Sequence, residues 1–223
     1  MKQLPTPADE RVDEVLWSSD NKTLYYTRTN VGWTGIFRQK ADIPGGEEAV
    51  YTPESSVRSL TISPKNDKIV FIGGGKSLMA LDIATNKTSE LSKHEYWTIQ
   101  GYGIKFSSNG DFITYTAVNL FERDVFVYDF KLGKCINITN SANFENDPAF
   151  SANGKHLYLL SNRMNASFPR GASTQLYRVA LQRVDTPFES DEYDKLFGAK
   201  GPKRDSTISI ELENIHRRFV PVM

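Results

Sequence analysis

Apolar and polar residues alternate with a period of two through most of the chain, the mark of half-buried strands. The runs "TLYY" from Thr23, "KIVFI" from Lys68, "FITYT" from Phe112 and "HLYLLS" from His156 are rich in β-branched and aromatic residues. Each follows an apolar end and a Ser-containing polar turn: "VLWSSDNK" from Val15, "LTISPKNDK" from Leu60, "IKFSSNGD" from Ile104 and "PAFSANGK" from Pro148. Asn, Asp and Gly suit such turns because they tolerate left-handed backbone or bond to it locally. A second strand run follows in each unit: "IFRQKAD", "SLMALDI", "VFVYDF" and "QLYRVAL". Behind the first three come the turns "IPGG", "ATNK" and "KLGK" and the short strands "EAVYT", "TSELS" and "CINIT". Long helical patterns are absent.

The anchors Trp17, Ile62, Phe106 and Phe150 lie 45, 44 and 44 residues apart. Four short antiparallel strands repeating at roughly 40 to 45 residues match the blade of a β-propeller. The expected fold is all-β: four four-stranded blades, part of a six- or seven-bladed ring, followed by an extended C-terminal tail. The pattern divides residues 1–183 into blades at about 11–54, 55–98, 99–144 and 145–183, then a linker at 184–205. The linker "RVDTPFESDEYDKLFGAKGPKRDS" is charged and contains Pro and Gly. The segment 206–223, with "TISIELENIHRRFVPV", reads as the start of a following domain. The opening "KQLPTPADERVDEVLW" resembles a connection between blades, so the expectation is a segment of a longer polypeptide.

The stretch "VFIGGGKSLM" from Val70 invites comparison with a phosphate-binding loop. Such a loop needs Gly-x4-Gly-Lys-Ser/Thr and a following helix. Counting back from Gly75 places Val70 where the first glycine belongs, and "SLMALDIATNKT" aligns with a strand and turn of the next unit. The glycines are expected to form a hairpin turn. Lys and Arg number 27 against 27 Asp and Glu, which argues against a nucleic-acid partner. The single Cys135 builds no intrachain disulfide. Neither a membrane-length apolar run nor a hydrophobic leader is present. The expected compartment is the cytoplasm, with the periplasm as the alternative if a leader precedes this segment.

The stretch "VFVYDFKLGKCINIT…NDPAFSANGKHLYLLSNR" resembles the TolB-type propeller repeat. "HLYLLSNRMNASFP…TQLYRVALQRVDTPF" followed by "ISIELENIHRRFVPV" is similar to the end of the first propeller in tricorn-like serine peptidases of the S41 class. That resemblance implies a large peptidase degrading short peptides, with propellers that gate or channel substrate. Its catalytic residues lie in domains outside this sequence, so none is carried over. Partners implied are peptides or a protein, together with the remaining domains of a longer chain; a homo-oligomer is compatible with this. Alternatives are a TolB-type interaction scaffold without peptidase activity and a propeller-based glycosidase fragment.

The residues themselves offer little chemistry. There is no Gly-x-Ser-x-Gly elbow, and His94, His156 and His216 stand apart in sequence. No cofactor or metal is expected. The loops between second and third strands share one face with the connections between blades. They carry Trp33, His94, Tyr96, Trp97, Phe121, Arg123, Phe144, Arg163, Phe168 and Arg170. Aromatic and Arg side chains on loops are common at binding surfaces, and Arg123, Arg163 and Arg170 could pair with a peptide carboxylate. The competing reading is local packing over blade edges.

Overall fold

The computed structural model describes residues 10–30, 32–43, 45–96, 103–119, 121–164, 174–183 and 208–222. Among the described residues, sixteen strands form four antiparallel four-stranded sheets. The first holds β1 (Arg11–Trp17), β2 (Thr23–Asn30), β3 (Trp33–Lys40) and β4 (Glu48–Tyr51). The second holds β5 (Val57–Ile62), β6 (Lys68–Gly73), β7 (Ser77–Asp82) and β8 (Thr88–Lys93). The third holds β9 (Lys105–Phe106), β10 (Phe112–Asn119), β11 (Glu122–Asp129) and β12 (Lys134–Asn137). The fourth holds β13 (Glu145–Phe150), β14 (His156–Ser161), β15 (Gln175–Ala180) and β16 (Phe219–Pro221). Within each sheet the strands pair in chain order, and the inner strands β1, β5, β9 and β13 contact one another in succession.

The Ser turn explains the repeat. Ser18, Ser107 and Ser151 each donate Oγ–H to Asp20, Asn109 or Asn153, at 2.6, 2.7 and 2.7 Å. The same Oγ accepts the N–H of Thr23, Phe112 or His156, at 2.9, 3.0 and 3.0 Å, closing the turn onto the next strand. The third position after each of these serines, and after Ser63 in the second sheet, is left-handed and carries Asn21, Gly110, Gly154 or Asn66, the residue types that accept that backbone. Small polar residues therefore recur here for backbone reasons.

Alternation along the strands creates three cores, one in each seam between neighbouring sheets. Ile69 and Phe71 of β6 enter the first with Tyr25 and Ile36, while Val70 and Ile72 enter the second with Tyr115 and Phe126. On β11, Phe126 and Tyr128 face the second core, and Val125 and Val127 face the third with Leu157, Leu159 and Val179. Burying each such Ile, Leu or Phe stabilises by about 1.5–3 kcal/mol, so central sheets are apolar on both faces. The first and fourth sheets each turn one face away from these cores, leaving Val15 and Trp17 exposed on one and Leu176 and Val220 on the other.

The C-terminal segment departs from the sequence expectation. Phe219, Val220 and Pro221 pair with Val179, Arg178 and Tyr177, so β16 is the outer strand of the fourth sheet. Ile208 and Ile215 are buried in the third core. Ile208 also packs so closely over Gly154 that an added Cβ would meet its Cγ1 at 2.3 Å. The described part of 206–223 completes the fourth sheet rather than opening another domain, because its apolar residues fill the seam that β15 leaves uncovered.

The glycine stretch also resolves. Gly73 pairs with Ser77 across a turn whose Gly74 and Gly75 are left-handed (φ 60° and 69°), and β7 follows directly. A phosphate loop would need a helix there.

Candidate functional site: the loop face

The structure brings together Arg123, Phe144 and Arg163, three of the ten residues expected on this face. Arg123 is buried; its Nη1 donates to Asn146 Oδ1 at 3.2 Å, and its guanidinium lies 5.2 Å from the Phe144 ring centre. Phe144 is held by its N–H, which donates to Asn162 Oδ1 at 2.8 Å. Arg163 pairs with Glu145 Oε1 through Nε at 3.1 Å and Nη2 at 2.9 Å, and stacks 3.6 Å over the Phe219 ring. Both guanidinium groups are engaged: Arg123 reaches from the third sheet to Asn146 of the fourth, and Arg163 ties together strands β13 and β16 of the fourth.

Of the other described candidates, His94 and Tyr96 meet edge to face with ring centres 6.1 Å apart, and the rest separate. Tyr96 is buried in the second core, with its carbonyl accepting Arg58 Nη2 at 3.1 Å and its N–H donating to Gly75. Trp33 and Phe121 stand on different hairpin tips, 52% and 89% exposed. Phe121 is left-handed at φ 73°, the conformation Gly32 takes at φ 85° in the equivalent turn of the first sheet. A bulky side chain costs about 1–2 kcal/mol there. Trp97, Phe168 and Arg170 lie outside the described residues.

Sequence reasoning missed the two carboxylates beneath this face. Asp124 is fully buried and accepts from Asn119 Nδ2, Asn137 Nδ2, Thr139 Oγ1 and the Ser141 N–H at 2.7, 2.8, 2.7 and 3.1 Å. Four donors compensate a charge that burial alone would make costly. Glu145 is also fully buried and accepts from Ser141 Oγ at 3.1 Å; burial pushes its carboxyl above the usual carboxylate range, against the pull of Arg163. An acid placed mid-strand among apolar residues, as in "ERDVFVYDF", was the available signal.

A second cluster sits at the outer rim between second and third sheets. Tyr115 Oη lies 2.9 Å from Ser92 Oγ, 2.9 Å from Cys135 Sγ and 3.2 Å from His94 Nε2. Burial lowers the His94 pKa and raises those of Tyr115 and Cys135. Every member is thereby held neutral, and a protonated thiol is a poor nucleophile. Among the described residues, no group of three or more His, Cys, Asp and Glu side chains is placed to hold a metal ion. No helix there is long and apolar enough to cross a membrane.

At the inner edge, Glu14 of β1 reaches into the second sheet. Its Oε1 and Oε2 accept the N–H groups of Ser59 and Leu60, each at 2.7 Å, at a bulge where Ser59 is left-handed (φ 57°). The carboxylate thus occupies a backbone nest of the following blade.

Radial succession of the sheets, seams packed face to face and a repeated inner bulge together decide the architecture. The four sheets are β-propeller blades. Comparison with solved structures agrees: tricorn protease matches with a TM-score of 0.68 at 16% identity, over 98% of this chain and 22% of that one. TolB from Acinetobacter baumannii matches with a TM-score of 0.51 at 17% identity, over 78% of this chain and 40% of that one. By sequence, the chain is 23% identical over 168 residues to a tricorn-like protease C-terminal subunit of Sulfurisphaera tokodaii, covering 74% of this chain and 19% of that protein. No family model matches the sequence. The chain spans about a fifth of the length of these tricorn relatives.

Proposed function

We propose that this chain is a non-catalytic β-propeller portion of a tricorn-like serine peptidase, which docks or gates peptide substrates and products for proteolysis carried out elsewhere. The observation that carries this reading is the likeness to tricorn protease along 98% of the chain. The blade faces left open at both ends of the arc, with Val15 and Trp17 on one and Leu176 and Val220 on the other, are consistent with further blades. The residues that would touch peptide are the exposed Trp33 and Phe121, with Arg170 as a further candidate outside the described residues. Arg123 and Arg163 would support the loops that carry such contacts. The TolB likeness favours a second reading, a protein-interaction scaffold.

A direct test is titration of fluorescently labelled peptides of about three to six residues into the 223-residue chain, followed by anisotropy. Saturable binding weakened by Phe121→Ala or Trp33→Ala is expected. Absence of binding to every peptide, with capture of a folded partner instead, would reverse the order of the two readings.

A further inference from the structure

The rim cluster between second and third sheets holds two metal-ligating atoms side by side. His94 follows β8 and Cys135 belongs to β12, 41 residues further on, yet Nε2 of the one lies 3.8 Å from Sγ of the other. Imidazole nitrogen and thiolate sulfur are donors that soft metals select. Metal bonds of about 2.0 Å to such a nitrogen and about 2.3 Å to such a sulfur span that gap at an angle of roughly 125°.

Both donors are positioned by their neighbours. The His94 ring lies 4.4 Å, centre to centre, from Phe126 and meets Tyr96 edge to face. Cys135 is exposed, so an ion reaches its sulfur from solvent. Tyr115, fully buried, sets its hydroxyl 2.9 Å from that sulfur and 2.9 Å from Ser92 Oγ. With Ser92 donating to Tyr115 and Tyr115 donating to the sulfur, the cluster supplies the outer-shell support that a metal-bound thiolate uses.

The donor count chooses the ion. Among the described residues no third His, Cys, Asp or Glu joins the pair. When the Cys135 thiol takes a monovalent cation, a sulfur–metal bond replaces the S–H bond and the proton leaves to solvent. The charge of the site is then unchanged. A divalent cation would leave one uncompensated positive charge against the buried Tyr115 and Phe126, which is costly. Zinc and calcium also gather four or more ligands, and this cluster lacks them.

The geometry points to a two-donor site for a soft monovalent cation of the Cu(I) class, bound between His94 Nε2 and Cys135 Sγ on the outer rim of the blades. It uses none of the residues assigned to peptide contact, so it stands or falls apart from the docking reading.

The test titrates Cu(I), kept reduced with ascorbate under argon, into the 223-residue chain against the chromogenic chelator bicinchoninate. One equivalent should stay with the protein. Cys135→Ser should remove it, and His94→Gln should weaken it at least about tenfold. Zn(II), followed with a zinc-binding dye, should be held at least about tenfold more weakly than Cu(I). The unsubstituted chain gives a reading that needs no variant: Cu(I) should protect Cys135 from iodoacetamide, with alkylation counted by mass spectrometry. The four methionines, as further soft donors, are the same in every variant. Equal retention by His94→Gln would mean a lone thiol, and equal retention by Cys135→Ser would put the ion elsewhere; either overturns the site. Unhindered alkylation in the presence of Cu(I) overturns it too, and Zn(II) held as tightly as Cu(I) overturns the choice of ion.

Discussion

The seams on either side of the third sheet handle buried polarity in opposite ways. Between second and third sheets, Tyr115, His94, Ser92 and Cys135 form a neutral cluster. Between third and fourth, Asp124 and Glu145 are buried as acids, compensated by amides, hydroxyls and Arg163. The difference lies in how many donors each seam commits. Asp124 collects four, so replacing it strands several buried groups at once. The Tyr115 hydroxyl is shared among partners nearer the rim that water can reach.

Asp124→Ala should therefore be the most damaging change, costing about 3–5 kcal/mol in denaturant unfolding. A cost under about 1 kcal/mol would mean that the hydrogen bonds around Asp124 are replaceable by water, and the contrast would collapse. Tyr115→Phe should cost only about 1 kcal/mol, because its partners rehydrate.

The pH responses sharpen the comparison further. Burial depresses the His94 pKa below its ordinary 6.5, so the stability it contributes is complete above that pH. It is lost as pH falls through the lowered folded value. Burial raises Glu145 above its ordinary 4.5, so the stability tied to its protonated form is complete below that pH. It is lost as pH rises through the raised folded value. Unfolding midpoints measured from about pH 4 to pH 8 should show Glu145→Gln removing a loss of stability towards neutral pH, and His94→Asn removing a loss towards acid. Slopes of the same sign in both variants would contradict this assignment.

Much of the architecture could be read from the residues, because a Ser turn with a left-handed Asn or Gly imposes itself locally four times. What escaped depends on partners distant in sequence. β16 joins β15 only after 38 intervening residues, with no repeat to announce it, so 206–223 looked like a new unit. Arg123 and Arg163 looked available for ligand because residue type does not reveal Asn146 or Glu145 beside them. Asp124 drew no notice because a carboxylate in a strand usually faces solvent.

The returning strand β16 carries a consequence for how the molecule assembles. In the other three sheets the outer strand follows the third after 7, 5 and 4 residues. Gathering in a strand across 38 residues rather than about 5 costs roughly 2 kcal/mol more of chain entropy. The last blade should form as a three-stranded platform first and receive its outer strand late. It should also be the first to release it, so hydrogen exchange at Val220 ought to outpace that at the outer strands of the earlier blades.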